Sequence, residues 1–449
     1  MQRSLSWVSI VRLGLVQTAL GAVVVLTTST LNRVMVVELA LPAMLPGALV
    51  ALHHAMQLLR PRMGHGSDGG RRLTPWILGG MAVLGVGGVG AALGTALMPS
   101  VMWAGLALSA VSFALIGAGV SSAGTSLLVM LAKRVAPGRR GAAATVVWMM
   151  MIFGFALTAT LVGKQLEPFS MNKLIVVALA VSLIAFAVAA LALWGVEGRE
   201  PSGESEPEPR GRFSQTLREV WAEPDARRFT VFVFVSMLAY SAQDLVLEPF
   251  AGSSFGFSPG ESTKLSGVQH AGVFAGMLLV AVLSLVFKDS LKRFVLGGCF
   301  ASAIAMGGLV VAGLNGGGSW PLKQNVFLLG AANGVFSIAA IGAMMALASQ
   351  GKSSREGVRM GLWGAAQAIA FGAGGFLGTV VVDAARALGA SGGHAYAVIF
   401  ALETLGFFAA YALAAGVTMP VSGRGSAARS AAAPAVVPSP VSGQTRSAA

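Results

Sequence analysis

The chain has one cysteine, Cys299, so no disulfide can form within it and cysteine usage says nothing about redox compartment. Charge is scarce as well: 11% of the 449 residues are Asp, Glu, Lys or Arg, against about 25% in an ordinary soluble domain. So few charges cannot coat a globule of this size. The signatures of several enzyme classes are also missing. There is no Gly-x-x-x-x-Gly-Lys-Ser/Thr phosphate loop, no His-Glu-x-x-His pair, no paired cysteine ligands and no nucleophile elbow. The aspartates, Asp68, Asp225, Asp244, Asp289 and Asp383, stand far apart, whereas a membrane prenyltransferase that handles a magnesium diphosphate needs them clustered. The residues point away from an enzyme.

What is present is hydrophobic, 55% of the chain, and it is arranged in long uncharged runs. These fall at about 13–32, 38–59, 76–97, 101–131, 142–163, 174–195, 229–249, 265–287, 294–314, 324–348, 361–382 and 395–417. About 20 apolar residues cross a ~30 Å hydrocarbon layer as a helix, and a helix satisfies its own backbone in lipid whereas a lone strand does not. The expectation is therefore an all-α integral membrane protein with twelve transmembrane helices. The 59 glycines suit close helix approach in a membrane. The first run follows Arg3 and Arg12 in the manner of a signal peptide, but it is too long and has no small-x-small site before Asn32-Arg33. It reads as an uncleaved first span.

With the N-terminus placed in the cytoplasm, 25 of the 31 Lys and Arg residues fall inside, the exceptions being Arg33, Lys164, Lys173, Lys264, Lys323 and Arg386. Both termini are thus expected to be cytoplasmic. The net charge of +13 is then a topology signal and a contact for anionic lipids, not a mark of nucleic-acid binding. Trp76 and Trp194 at inner span ends, and Trp103 and Trp320 at outer ones, fit interfacial rings.

Composition divides the chain into an N-terminal six-helix half at 1–196, a polar linker at 197–228, a C-terminal six-helix half at 229–419 and a disordered tail at 420–449. Within the linker, Phe213 to Trp221 reads as a short surface helix. The halves resemble each other. Leu45, Gly47, Ala51, Ala55, Leu58 and Leu59 match residues 220 positions later, Leu265, Gly267, Ala271, Ala275, Leu278 and Leu279, as Arg139 and Gly141 match Arg359 and Gly361. Gly119-Val120 and Leu131-Ala132 recur as Gly334-Val335 and Leu347-Ala348. Two pseudo-symmetric six-helix halves are the plan of the major facilitator fold. The loop Gly64-His65-Gly66-Ser67-Asp68-Gly69-Gly70-Arg71-Arg72 resembles that superfamily's loop pattern, one residue short. Its expected role is conformational, carried by Gly64, Asp68, Arg71 and Arg72, and a generic basic turn is the alternative.

Three segments narrow the resemblance: residues 26–39 (LTTSTLNRVMVVEL) leading into Pro42 and Pro46, residues 57–62 (QLLRPR), and residues 243–250 (QDLVLEPF). Together they resemble the bacteriochlorophyll delivery family, the PucC and LhaA group, over about residues 5–418. That resemblance implies an assembly factor for light-harvesting antenna complexes in the bacterial inner, intracytoplasmic membrane. Its implied partners are antenna polypeptides and bacteriochlorophyll, the latter as ligand or cargo, and it supplies no catalytic residue.

Charges inside spans are costly, so each is a functional candidate. Arg33 and Glu38 lie at the expected junction of spans one and two, where they either pair or sit in the interfacial layer. Asp244 and Glu248 are four residues apart on span seven and so share a helical face, and Glu403 lies about eight residues into span twelve. His53 and His54, with Gln57 one turn on, could offer an imidazole to the magnesium of a chlorin, beside small Gly47, Ala51 and Ala55, and His270 is a second candidate. Interhelical hydrogen bonding is the competing role for each. The rival function is a proton-coupled transporter of a small solute, which asks for polar groups on spans four and ten. Those spans offer Ser121, Ser122, Thr125, Ser126, Asn333 and Ser337.

The charge asymmetry is testable directly. Alkaline phosphatase fused after Ser205 is expected to be inactive and after Pro259 active; the reverse pattern would invert the topology.

Overall fold

The computed structural model describes residues 5–59, 72–136, 139–197, 213–286, 291–315, 318, 320–350, 356–390 and 392–417. Each apolar run of the sequence holds a helix. Spans one to six are Trp7–Glu38, Met44–Met56, Thr74–Leu97, Met102–Arg134, Arg140–Gln165 and Met171–Leu193. Spans seven to twelve are Pro224–Phe255, Pro259–Val286, Leu291–Leu314, Leu322–Gln350, Glu356–Ala387 and Gly393–Ala415. Among the described residues eleven of these are long and apolar enough to cross a membrane, and span two, with 13 residues, is shorter. A surface helix, Phe213–Ala222, lies where the linker was expected to form one, and span seven begins at Pro224, ahead of the expected 229. The expected tail, and all of the loop from Gly64 to Arg71, lie outside the described residues.

The largest departure from expectation is at spans one and two. Span one does not stop at residue 32 but continues to Glu38, and span two begins at Met44 rather than 38. Pro46 therefore stands in the first turn of span two, where a missing N–H costs nothing, and the prolines mark the start of the helix. Leu31, Val34 and Met35 are fully buried, which is why the helix runs on past a charged residue.

The repeat shows in the lengths. Spans one and seven both have 32 residues and begin 217 positions apart, as do spans three and nine with 24 each. Spans six and twelve have 23 each. The matched arginines also do the same work. Arg139, at the start of span five, donates to the Leu5 carbonyl at 2.8 Å and lies 5.0 Å over the Trp7 ring, holding the lead-in to span one. Arg359, near the start of span eleven, holds the lead-in to span seven: its Nη2 donates to both Glu223 carboxylate oxygens at 2.8 and 2.6 Å, and its Nε to one of them at 3.1 Å.

Spans two and eleven, and spans five and eight, form the faces along which the halves meet. At the end of the bundle that carries the linker, the polar contacts among the described residues stay within a half. Glu197 takes the Leu73 and Thr74 N–H groups at the start of span three, Arg12 reaches the Trp194 carbonyl, and Lys292 reaches the Ala415 carbonyl. At the far end they cross between halves. Asp383 of span eleven accepts from the Ala43 and Met44 N–H groups at the start of span two, at 3.0 and 2.7 Å, and Lys264 of span eight pairs with Glu167 beyond span five at 2.5 Å. Nearer the linker end the halves touch through ring contacts, Phe153 with Phe274 and His54 with Phe371.

Candidate functional site

Span seven is interrupted at Ala242, between helical segments ending at Ser241 and starting at Gln243, and carries Pro249 inside its second segment. Proline has no N–H, so the Leu245 carbonyl four residues back loses its helical partner. Asn32 of span one supplies one: its side-chain amide donates to the Leu245 carbonyl at 2.5 Å. In a membrane interior an orphaned carbonyl costs several kcal/mol, so this contact ties the halves together.

The next residue, Arg33, is 2% exposed, and each of its three guanidinium nitrogens has a partner. Nε donates to the Ser262 hydroxyl at 3.0 Å, Nη2 to the Phe257 carbonyl at 2.6 Å, and Nη1 pairs with Glu38 at 2.6 Å. A buried cation persists when its donors are all met and a counter-charge is near. Thr30 adds a bond of 3.2 Å to Thr263. Two wide helical turns, Leu26–Thr30 and Val34–Glu38, flank the short segment that presents Asn32 and Arg33 to spans seven and eight. Such turns are frequent at functional positions in helices.

The carboxylates part company. Glu248 faces span eight, accepting from Ser266 at 2.5 Å with Thr263 3.4 Å from its other oxygen. Glu403 of span twelve accepts the Gln243 N–H at 2.8 Å, the donor that opens the second segment of span seven. From Gln243 the network continues to Asn333 of span ten at 3.3 Å, and from Asn333 to Ser302 of span nine at 2.8 Å. Glu403 Oε2, Gln243 Nε2 and Asp244 Oδ1 have no partner among the described residues. Two acceptors and a donor at a helix break can take up a water molecule or a proton-bearing carboxyl.

The histidines differ in what they leave available. The Gln57 amide nitrogen lies 3.0 Å from His53 Nε2 and 3.3 Å from His54 Nδ1, so as a donor it occupies one ring nitrogen of each. His270, in span eight, has Nδ1 2.8 Å from the Ser266 carbonyl. A carbonyl only accepts, so Nδ1 carries the proton and Nε2 keeps its lone pair, as in histidines that bind metals. The Phe155 ring of span five stands edge-on to it, 5.0 Å away.

The structure thus brings Arg33 and Glu38 together, joins His53, His54 and Gln57 in one cluster, and buries Glu403. The face expected to be shared by Asp244 and Glu248 is divided: Glu248 bonds to span eight, and Asp244 stands within electrostatic reach of Glu403. Arg72 is exposed at the start of span three. Asn32, Gln243 and Asp383 were not singled out from sequence. Pro249 was the available signal for Asn32, since a proline inside a span demands an outside donor.

The family model described as "PUCC protein" matches residues 30–421. A Rhodobacter capsulatus chain named "Bacteriochlorophyll synthase 44.5 kDa chain" is 50% identical over 425 residues, 94% of this chain and 98% of that one. "Protein PucC" of Cereibacter sphaeroides is 30% identical over 424 residues, 88% of each chain. Among solved structures, a D-xylose-proton symporter superposes with a TM-score of 0.69 at 14% identity, over 90% of this chain and 97% of its own. A peptide transporter in complex with sulfate gives 0.68 at 13%, over 93% and 97%. This likeness shows the fold, that of the major facilitator transporters, and nothing finer.

The Asn32 contact has a specific test. Asn32→Ala should lower stability by about 1–3 kcal/mol, the cost of an unsatisfied buried acceptor. In a Pro249→Ala background the helix regains an N–H for Leu245, so the same substitution should cost clearly less. Thermal unfolding of the four proteins in detergent measures the coupling, and strictly additive losses would show that Asn32 does not serve the proline.

Proposed function

The chain belongs to the PUCC protein family, and from that premise we propose that it is an assembly factor for light-harvesting antenna complexes that binds bacteriochlorophyll and delivers it to antenna polypeptides in the membrane. The observation that carries the reading is the 50% identity, over nearly the whole chain, to a relative whose name places it with bacteriochlorophyll. The protein is a multi-pass membrane protein. In the proposed setting it lies in the bacterial inner membrane with the linker end cytoplasmic, so the hydrogen-bonded far end is closed to the outside and cargo enters from the inner side or sideways from lipid.

The side chains of spans four and ten support an apolar cargo. Ser121 donates to the Gly117 carbonyl of its own helix, Ser122 to the Trp76 carbonyl, and Asn333 is spent on Gln243 and Ser302. Thr125 and Ser126 keep buried hydroxyls without a partner among the described residues, so what is left to grip a polar solute is small and uncharged. For a chlorin magnesium the fitting donor is Nε2 of His270, and we rank it above His53 and His54, whose ring nitrogens already meet Gln57. Bound there, the imidazole would supply an axial ligand while Ser266 fixes the ring.

We read the chain as a non-enzyme although its relative is named a synthase chain. The family match and a fold shared with transporters support that reading. A second reading, proton-coupled transport, draws on the unpartnered oxygens of Glu403 and Asp244.

Deleting the gene in a pigmented host should lower antenna absorption while pigment is still synthesised. Complementation with His270→Ala should leave the protein in the membrane with about tenfold less copurifying bacteriochlorophyll, the scale on which metal-ligand shells respond. His270→Gln should lose less, and His53→Ala little. Normal antenna yield together with loss of uptake of a polar solute would instead establish the transporter.

A further inference from the structure

The surface helix Phe213–Ala222 and span seven meet at a corner of one residue, Glu223. Pro224 opens span seven, and the residue before a proline is pushed out of the helical region, so Glu223 is extended at φ −71° and ψ 119° and the helix cannot run through. The corner is also held from outside. Arg359 of span eleven, itself 3% exposed, grips the Glu223 carboxylate, and the Glu223 N–H donates to the Val220 carbonyl at 3.1 Å. Val220 is fully buried and pins the end of the surface helix to the bundle. The backbone of the corner is therefore preformed.

What the corner turns outward is mostly of one sign. Arg218, Arg227 and Arg228 are exposed, and none of the three has a hydrogen bond or ion pair. Other cations at this end of the bundle are spent: Arg12 and Lys292 on the carbonyls of Trp194 and Ala415, Arg139 on that of Leu5, and Arg359 on Glu223. The acids nearby do not cancel the arginines. Glu219 and Glu223 are half-buried, the latter held by Arg359, which leaves Asp225 as the exposed carboxylate among residues 218–228. Three exposed cations against one exposed anion give an excess of two positive charges. Depth then selects the occupant. Phe229, directly after Arg228, begins the apolar run of span seven, so Arg227 and Arg228 stand where hydrocarbon gives way to headgroups. Trp221, three residues after Arg218 and so on its side of the surface helix, is 44% exposed, and a tryptophan ring favours that same level. Lipid headgroups fill that level around every span, and the sign of the corner favours anionic ones.

We propose that this corner binds the headgroup of an anionic phospholipid through Arg218, Arg227 and Arg228. The site is separate from the polar seam and from His270, and it stands whether or not the antenna reading holds. It gives the C-terminal half a lipid-specific anchor at its first helix, where general positive charge would give only diffuse attraction. Because Arg359 ties the corner to span eleven, and span eleven meets span two of the other half, the anchor is attached to one of the faces along which the halves part.

Native mass spectrometry of the full chain in detergent, titrated with phosphatidylglycerol or phosphatidylcholine of the same acyl chains, tests it. Wild type should retain phosphatidylglycerol preferentially. Arg218→Gln, Arg227→Gln and Arg228→Gln should each weaken that lipid by up to about fivefold, the effect of one arginine near an anionic headgroup, and the triple variant should bring the two lipids near parity. These side chains are exposed and unbonded, so the variants should stay folded and monodisperse. Arg293→Gln, which removes an equal charge from an exposed position at the start of span nine, should leave the preference intact. Equal binding of both lipids by wild type, or an unchanged preference in the triple variant, would overturn the proposal. So would a loss in Arg293→Gln as large as in Arg228→Gln, the mark of diffuse charge. A triple variant that keeps its lipid preference and loses copurifying polypeptides would overturn it as well, and would make the corner a protein-docking face.

Discussion

A proline inside a membrane helix leaves one carbonyl without its hydrogen bond, and lipid cannot replace it. In this chain the replacement comes from the opposite half. Asn32 serves Leu245, and the demand created by Pro249 becomes a link between span one and span seven. Arg33 strengthens the link, because a buried guanidinium cannot leave Ser262, Phe257 and Glu38 without being stranded in a low-dielectric interior. Opening the bundle at that end would expose both groups at once. Parting the halves at the linker end breaks apolar contacts instead, which lipid can substitute. The placement of a few polar groups thus decides which end of the protein is the easier one to open.

The repeat explains how such a link arises. Spans one and seven have equal length and a constant separation of 217 residues, so Asn32 and Pro249 occupy matching positions in the two halves. One copy carries the defect and the other its remedy. Elsewhere the copies have kept the same device: Arg139 and Arg359 each tie the start of the fifth helix of a half to the lead-in of its first. The duplicated scaffold is retained where it fixes helix ends and along spans two and eight, whose matched Gly47 and Gly267 each pack on a threonine of the other half, and it has diverged at the seam of spans one and seven.

The sequence made some of this legible and hid the rest, for physical reasons. A membrane imposes length and polarity on every span, so the twelve helical runs could be read without tertiary information. Two of the segments carrying the family resemblance, 26–39 and 243–250, proved to be those that meet at the seam. The depth of Arg33 was hidden because a charged residue among apolar ones reads as a span boundary, and only Ser262 and Phe257, more than 220 positions away, explain its burial. The ranking of the histidines was hidden too. Whether an imidazole keeps a free lone pair depends on its hydrogen-bond partner, a backbone carbonyl for His270 and a side-chain amide for His53 and His54. Helical spacing put Asp244 and Glu248 on one face, but four residues on a helix leave room for different neighbours, and span eight takes only Glu248.

If the cargo is bacteriochlorophyll, as proposed, the demands on the chain are divided unevenly. A large apolar ligand is held mainly by contact area, at about 25 cal/mol per Å² removed from water, and many side chains contribute comparable small shares. Directional groups near it have little to select. Ser121 of span four accordingly bonds to its own backbone, and Ser302 and Asn333 of spans nine and ten bond to each other, while the groups left over on span four are the small hydroxyls of Ser109, Thr125 and Ser126, which leaves an interior that tolerates a broad, flexible molecule. Strict requirements on residue identity then fall on the seam, where a single amide or guanidinium has no substitute. Such a protein discriminates less by gripping its cargo than by controlling where the bundle opens, which is a sensible division of labour for a carrier that must release a hydrophobic pigment to a neighbouring helix.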